Sequence, residues 1–172
     1  LVLASLGWDV VATDSHPAVL SLLEQNVWRN SSDLPGSVTV RKLDWCVPPD
    51  EWNLQDVTTE PFDLVLTADT LYSPTLTPHL LRTLRHLACP PGNRSPILTY
   101  IAFERRDPAL IDAALAELPD PARIPHRKLA KAMHAVGWGD WAADDWVGVE
   151  VWRVRWRDAS LKEGTAAPEK EV

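Results

Sequence analysis

The chain has little cysteine: two residues, Cys46 and Cys89, in 172. They stand far apart in sequence and make no metal-ligand spacing, so no metal is expected. Reduced thiols in an intracellular compartment, cytoplasm or nucleus, are the reading they favour. No apolar run reaches the roughly 18 residues a spanning helix needs, and no basic leader opens the chain, so neither a membrane segment nor a signal peptide is expected. Positive charge is also short, with 17 Lys and Arg against 24 Asp and Glu, a net charge of -7 and a pI near 5.1. That balance argues against affinity for a phosphate backbone and fits a basic protein segment or a small molecule as partner. Methionine occurs once, as Met133, and not at the start. The opening Leu1-Val2-Leu3-Ala4-Ser5-Leu6-Gly7 reads as the last turns of a helix closed by glycine, so the expectation is that something upstream has been cut away.

What is present suits a soluble α/β domain. Hydrophobic residues make up 45% of the chain, enough for one monomeric domain with a sizeable core over residues 1–158, followed by a charged, solvated tail over 159–172. The organising stretch is Phe62-Asp63-Leu64-Val65-Leu66-Thr67-Ala68-Asp69-Thr70-Leu71-Tyr72. Its apolar run suits a parallel strand covered on both faces, leading into an acid, a short turn and an aromatic that looks buried. Ligands in open α/β sheets lie beyond the carboxyl ends of such strands, which is where Asp69 and Tyr72 fall. By itself the segment fits equally a turn-capping Asp69 and a Tyr72 that plugs the core edge.

Upstream, Trp8 to Asp14 reads as a strand ending in an acid. An ionised carboxylate there accepts hydrogen bonds from ribose hydroxyls, a role compatible with capping the helix that Ser15-His16-Pro17 begins. Val19, Leu20, Leu23 and Val27 recur at helical spacing, and Val38 to Leu43 alternates as the next strand, ending at Leu43-Asp44-Trp45. Asp44 and Trp45 supply the acceptor and the flat apolar face that an adenine ring needs, although Trp45 also reads as a loop anchor. After Tyr72, Leu76, Leu80, Leu84 and Leu87 form a helical stripe stopped by Cys89-Pro90-Pro91-Gly92. Pro96 to Phe103 is a further strand, with Glu104-Arg105-Arg106 at its end. If the strands run parallel, Glu104 reaches the same rim as Asp69. Asp107-Pro108 starts a helix buried through Leu110, Ile111, Ala114, Leu115 and Leu118. A second helix over Pro125 to Val136 turns Leu129, Ala132, Met133 and Val136 inward, with His126 and His134 at the surface or as caps. Val147, Val149 and Val151 alternate before the phase passes to Trp152, Val154 and Trp156, the pattern of a strand buried on both faces or carrying a bulge.

Taken together, Asp14, Leu43-Asp44-Trp45, Asp69-Thr70-Leu71-Tyr72, Glu104-Arg105-Arg106 and the late Val/Trp strand resemble the seven-strand S-adenosylmethionine-dependent methyltransferases. Within them the closest likeness is to the methyltransferase-like family 16 group of protein lysine methyltransferases, over Leu1 to about Arg157. The resemblance implies a Rossmann-like seven-strand sheet with helices on both faces and S-adenosyl-L-methionine as cofactor. It implies that Asp14 binds the ribose, that Asp44 and Trp45 contact adenine, and that Ala68 adjoins the cofactor. Asp69 and Tyr72 would face the methyl group and the incoming lysine of a protein substrate, and Glu104 would lie at the substrate mouth. The glycine-rich first strand and loop of that family are missing ahead of Leu1, so the expectation is a truncated domain whose central strand lies upstream. Two other readings share the residues: methylation of a small amine on the same fold, and a catalytically silent binding module derived from it. A nicotinamide dehydrogenase could use Asp14, but leaves Leu43-Asp44-Trp45 without a role.

Overall fold

The computed structural model describes residues 1–52, 62–89, 97–137 and 148–156. The Pro90-Pro91-Gly92 stop, the strand start at Pro96, Val147, Arg157 and the tail from Ala159 lie outside the described residues. The chain divides into two compact units, Leu1–Pro61 and Phe62–Val172.

In the first unit, α1 (Val2–Ser5) ends in a Schellman turn, with the Trp8 amide donating to Leu3, the Gly7 amide donating to Ala4, and Gly7 at φ +88°. That left-handed step is the reason the helix closes on glycine. β1 (Val10–Asp14) pairs in parallel with β2 (Val38–Lys42), from Val10 opposite Val38 to Asp14 opposite Lys42. Parallel neighbours need a crossover, supplied by α2 (Pro17–Asn30), which starts at the His16 cap and Pro17. It packs on both strands, turning half-buried Leu20, Leu23 and Val27 inward and leaving Trp28 82% exposed. At the amino ends of the strands, Asp9 Oδ1 accepts hydrogen bonds from the Ser37 amide at 3.0 Å and hydroxyl at 2.7 Å. Those bonds hold the Asp9 carboxyl below its usual range and pin the register. Gly36 donates its amide to Ala4 across the turn at 2.9 Å, and a Cβ there would fall on the Trp8 carbonyl.

In the second unit the sheet order is β3 (Leu64–Ala68), β4 (Leu98–Glu104), β6 (Val149–Arg155) and β5 (Ala122–Arg123). β3 and β4 are parallel, whereas β4–β6 and β6–β5 are antiparallel. The face carrying Val65, Thr99, Ile101, Phe103 and Val154 is buried, and α3 (Thr77–Ala88) packs on it with Leu80, Leu81, Leu84 and Ala88. Each such leucine contributes roughly 2 kcal/mol of burial. Next to α3, α4 (Pro108–Glu117) is capped by Asp107, which accepts from the Leu110 amide at 3.1 Å, and buries Ile111, Ala114 and Leu115. On the opposite face a groove of about 660 Å³ lies between Leu66, Ala68, Tyr100 and Val151 of the sheet and Leu129 of α5 (His126–Ala135).

Two expectations are corrected. Leu66 is 45% exposed, so β3 is covered on one face only among the described residues. Val136 and Ala132 are exposed rather than inward, because α5 turns only half-buried Leu129 and Met133 toward the protein. β5, two residues long, carries no periodicity from which it could be read. The late Val/Trp strand runs opposite β4 for seven consecutive residue pairs without a bulge, Val149 and Val151 on one face and Val154 on the other. Its position 150 buries an acid.

Glu150 is 7% exposed and accepts a fork from Arg105, Nε and Nη2 each at 3.0 Å, while the Trp152 indole donates to Oε2 at 2.8 Å. The Arg105 fork is the main reason the Glu150 carboxyl is held below its usual value near 4.5; burial opposes it. A depressed carboxyl pKa stabilises the fold above the ordinary value and loses that contribution as pH falls through the folded one. Glu150→Gln should therefore cost roughly 2 kcal/mol at neutral pH, and the gap between wild type and variant in denaturant melts should close on acidification below about pH 4.5. Gly36→Ala should cost about 1–3 kcal/mol in the same assay, since the chain must move off the Trp8 carbonyl.

Candidate active site

Asp69 follows β3 directly and adopts φ +52°, a left-handed backbone that, glycine aside, asparagine and aspartate tolerate better than most. Its amide continues the ladder to the Ala102 carbonyl at 2.8 Å, and its Oδ1 accepts the Glu104 amide at 3.1 Å. The turn therefore bends the backbone while the carboxylate stays bonded to the neighbouring strand. Thr67 and Thr70 join hydroxyls across it at 2.6 Å. Leu71, 6% exposed, plugs the core edge. Tyr72 does not: at 64% exposure it is an open ring, correcting the reading of a buried aromatic.

Glu104 ends β4 on the same side as Asp69, as the parallel pairing requires. Its carboxylate is already occupied, since Oε2 accepts Arg106 Nη2 at 2.6 Å and Nε at 2.8 Å. The Arg106 guanidinium is held above its usual pKa chiefly by that hydrogen bond, then by the charge of Glu104 and that of Asp69. Arg105, between them in sequence, turns away to Glu150 and to Asp112 Oδ1 at 2.6 Å. That anchor was missed from the sequence. The available signal was Glu150 itself, an acid placed on the strand face that also carries Val154.

In the other unit, Asp14 closes β1 and Asp44 stands two residues past β2, so both acids lie at carboxyl ends of adjacent parallel strands. The Leu43 amide donates to the Asp14 carbonyl at 3.0 Å, joining the two ends. Each carboxylate is oriented by a backbone amide two residues on: Asp14 Oδ1 accepts from His16 at 2.8 Å and Asp44 Oδ1 from Cys46 at 2.9 Å. One such bond leaves acceptor capacity on either carboxylate. Asp14 thus steadies the entry to α2, but the helix cap is the ring of His16, whose Nδ1 accepts the Ala18 amide at 3.2 Å. Trp45 is half-buried beside Asp44. Ala68 is the last residue of β3. The structure thus joins Asp14 to the Leu43-Asp44-Trp45 segment and Asp69 to Glu104, each set within its own unit. Among the described residues there is no group of three or more His, Cys, Asp or Glu fit for a metal, and no helix long and apolar enough to cross a membrane.

Residues 1–111, from α1 into α4, match the lysine methyltransferase family. The chain is also 37% identical over 70 residues to the protein-lysine N-methyltransferase rrg1 of Schizosaccharomyces pombe, a match covering 39% of this chain and 23% of that protein. The chain thus spans about a quarter of the length of that relative. The family match takes in Asp14, Asp44, Asp69, Tyr72 and Glu104 alike, and the chain belongs to the lysine methyltransferase family.

Proposed function

We propose that this protein transfers a methyl group from S-adenosyl-L-methionine to the side-chain nitrogen of a lysine in a protein substrate. The observation that carries the reading is Asp69, bent out of its strand in a left-handed turn and tied to Glu104 on the parallel neighbour, in a chain of this family. Backbone held in a sparsely populated conformation is concentrated where chemistry is done.

The residues fit the cofactor. Asp14 and Asp44 are carboxylates oriented by backbone amides with acceptor sites to spare, suited to ribose hydroxyls and an exocyclic amine. Trp45 offers an apolar face, and Ala68 ends the strand without bulk. When bound, the cofactor supplies a methyl group activated by its own sulfonium leaving group. The protein's task is therefore to hold the acceptor. A lysine amine has a pKa of about 10.4 and is nucleophilic only when neutral. Asp69 and Glu104 attract the ammonium, and exposed Tyr72 presents a ring face to the cation, a contact contributing about 0.5–1 kcal/mol at such a site. After proton loss to water, the same groups orient the nitrogen, and proximity contributes most of the rate. Arg106 on Glu104 sets a threshold: an incoming cation must share that carboxylate.

The seven-strand sheet belongs to the same proposal. It is supported by the parallel pairs β1–β2 and β3–β4, the pairing from which such a sheet is built. A location in the cytoplasm or nucleus is supported by the sparse, widely separated cysteines.

When the protein is incubated with labelled cofactor and cell lysate, label should enter polypeptide bands and survive as methyl-lysine on hydrolysis. Label in small amines alone would favour the small-molecule reading, and no cofactor binding by calorimetry would favour a silent module. Asp69→Ala should cut label transfer roughly tenfold or more with little change in cofactor affinity. Tyr72→Ala, which removes the ring face, should cut it about two- to fivefold. Asp69→Gly should be as inactive as Asp69→Ala but about 1 kcal/mol more stable in a denaturant melt, because glycine accepts the left-handed backbone.

A further inference from the structure

Asp69 is solvent-exposed, so packing does not fix its carboxylate; the amide of Glu104 does. What fixes that amide is less obvious, because it stands at the last residue of β4, where strands fray. The answer lies one residue further on. The Arg105 amide donates to the Gly148 carbonyl at 3.0 Å, and the Arg106 amide folds back to the Glu104 carbonyl at 2.8 Å. The Arg105 side chain then runs away from the rim. It meets Glu150 of β6 through two nitrogens at 3.0 Å and Asp112 of α4 at 2.6 Å. Glu150 is itself held by the Trp152 indole at 2.8 Å, with the Arg123 guanidinium of β5 at 3.5 Å. The tripeptide Glu104-Arg105-Arg106 thus divides its labour: its outer members face the rim and its middle member is fastened to a strand and a helix behind it.

We propose that Glu150 and Arg105 are positioning residues for methyl transfer, fixing through the Glu104 amide the carboxylate of Asp69 that receives the substrate cation. The proposal rests on the methyl-transfer reading and deepens it. Neither residue touches the rim. A forked guanidinium–carboxylate pair sets angle as well as distance, which an apolar contact in the same place does not. For stability alone such a pair is replaceable by packed apolar side chains, so its worth here lies in geometry. Small displacements of an orienting group are expensive: a misplacement near 1 Å can cost about a hundredfold in rate.

The test uses Glu150→Gln and the milder Arg105→Lys, which keeps the charge and loses the fork. In the 172-residue chain, amide hydrogen exchange by NMR should show Glu104 protection falling in both variants, most in Glu150→Gln, while Thr99 and Ile101 inside β4 stay protected. In the same protein, the initial rate of transfer from tritiated S-adenosylmethionine to lysate protein should fall roughly tenfold or more, in the same order, with cofactor affinity by calorimetry unchanged. Wild-type Glu104 protection in both variants would overturn the proposal. So would a loss shared equally by Thr99 and Ile101, which marks a purely structural pair. If Glu150→Gln does not fold, Arg105→Lys decides alone. If the wild-type protein transfers no label, the methyl-transfer reading falls; positioning of the rim is then judged on exchange, supported by selective loss at Glu104 and overturned by its retention.

Discussion

Parallel pairing is the constraint from which the rest follows. β1 with β2, and β3 with β4, run in the same direction, so whatever the chain places at the carboxyl end of one strand lies beside the carboxyl end of its neighbour. Parallel strands cannot be joined by a tight turn, and each pair is therefore separated by a crossover, through α2 in one case and α3 in the other. The helices do the packing, and the strand ends are left for acids. Asp14 and Asp44 come from one pair, Asp69 and Glu104 from the other; backbone amides orient the three aspartates, and the Arg106 guanidinium holds Glu104. This economy suits a site that binds and orients more than it exchanges protons.

Much of this was legible in the residues. Strand and helix starts followed local rules: the glycine after Leu6, Asp107 before Pro108, and the leucine stripe of α3 were each written in spacing and turn chemistry. Asp69, with an apolar run before it, was placed correctly at a strand end. Harder to read were features set by tertiary contact. Tyr72 follows a buried leucine, and which of the two fills the core depends on how the left-handed step at Asp69 rotates the chain, a backbone angle with no sequence signal beyond aspartate's tolerance for it. Leu66 belongs to an unbroken apolar run, yet only alternate positions of β3 meet α3. Glu150 was hidden by its valine neighbours: an acid amid alternating Val and Trp looks like a solvent-facing position until Arg105 is brought over it from β4.

The charges divide by role. Glu104 and Arg106 pair in the open, where water screens them and the bond exchanges readily with another cation. Arg105 and Glu150 pair under cover, where the geometry is held. Adjacent arginines with similar chemistry thus serve opposite ends, one adaptable and one fixed. The difference comes from the turn after β4, where the Arg106 amide folds back to the Glu104 carbonyl while Arg105 is tied to Gly148.

The antiparallel contact between β4 and β6 has a consequence for how the protein is made. β6 is the last described strand in the chain, yet it sits between β4 and β5 and supplies the acid that anchors the turn after β4. During synthesis the amino-terminal strands and helices leave the ribosome long before it, so β4 must wait with its inner edge unpaired, and Arg105 with Asp112 but without Glu150, until Val149–Arg155 emerges. Nascent chains stalled short of that point would carry an exposed sheet edge, a template on which unfinished chains aggregate.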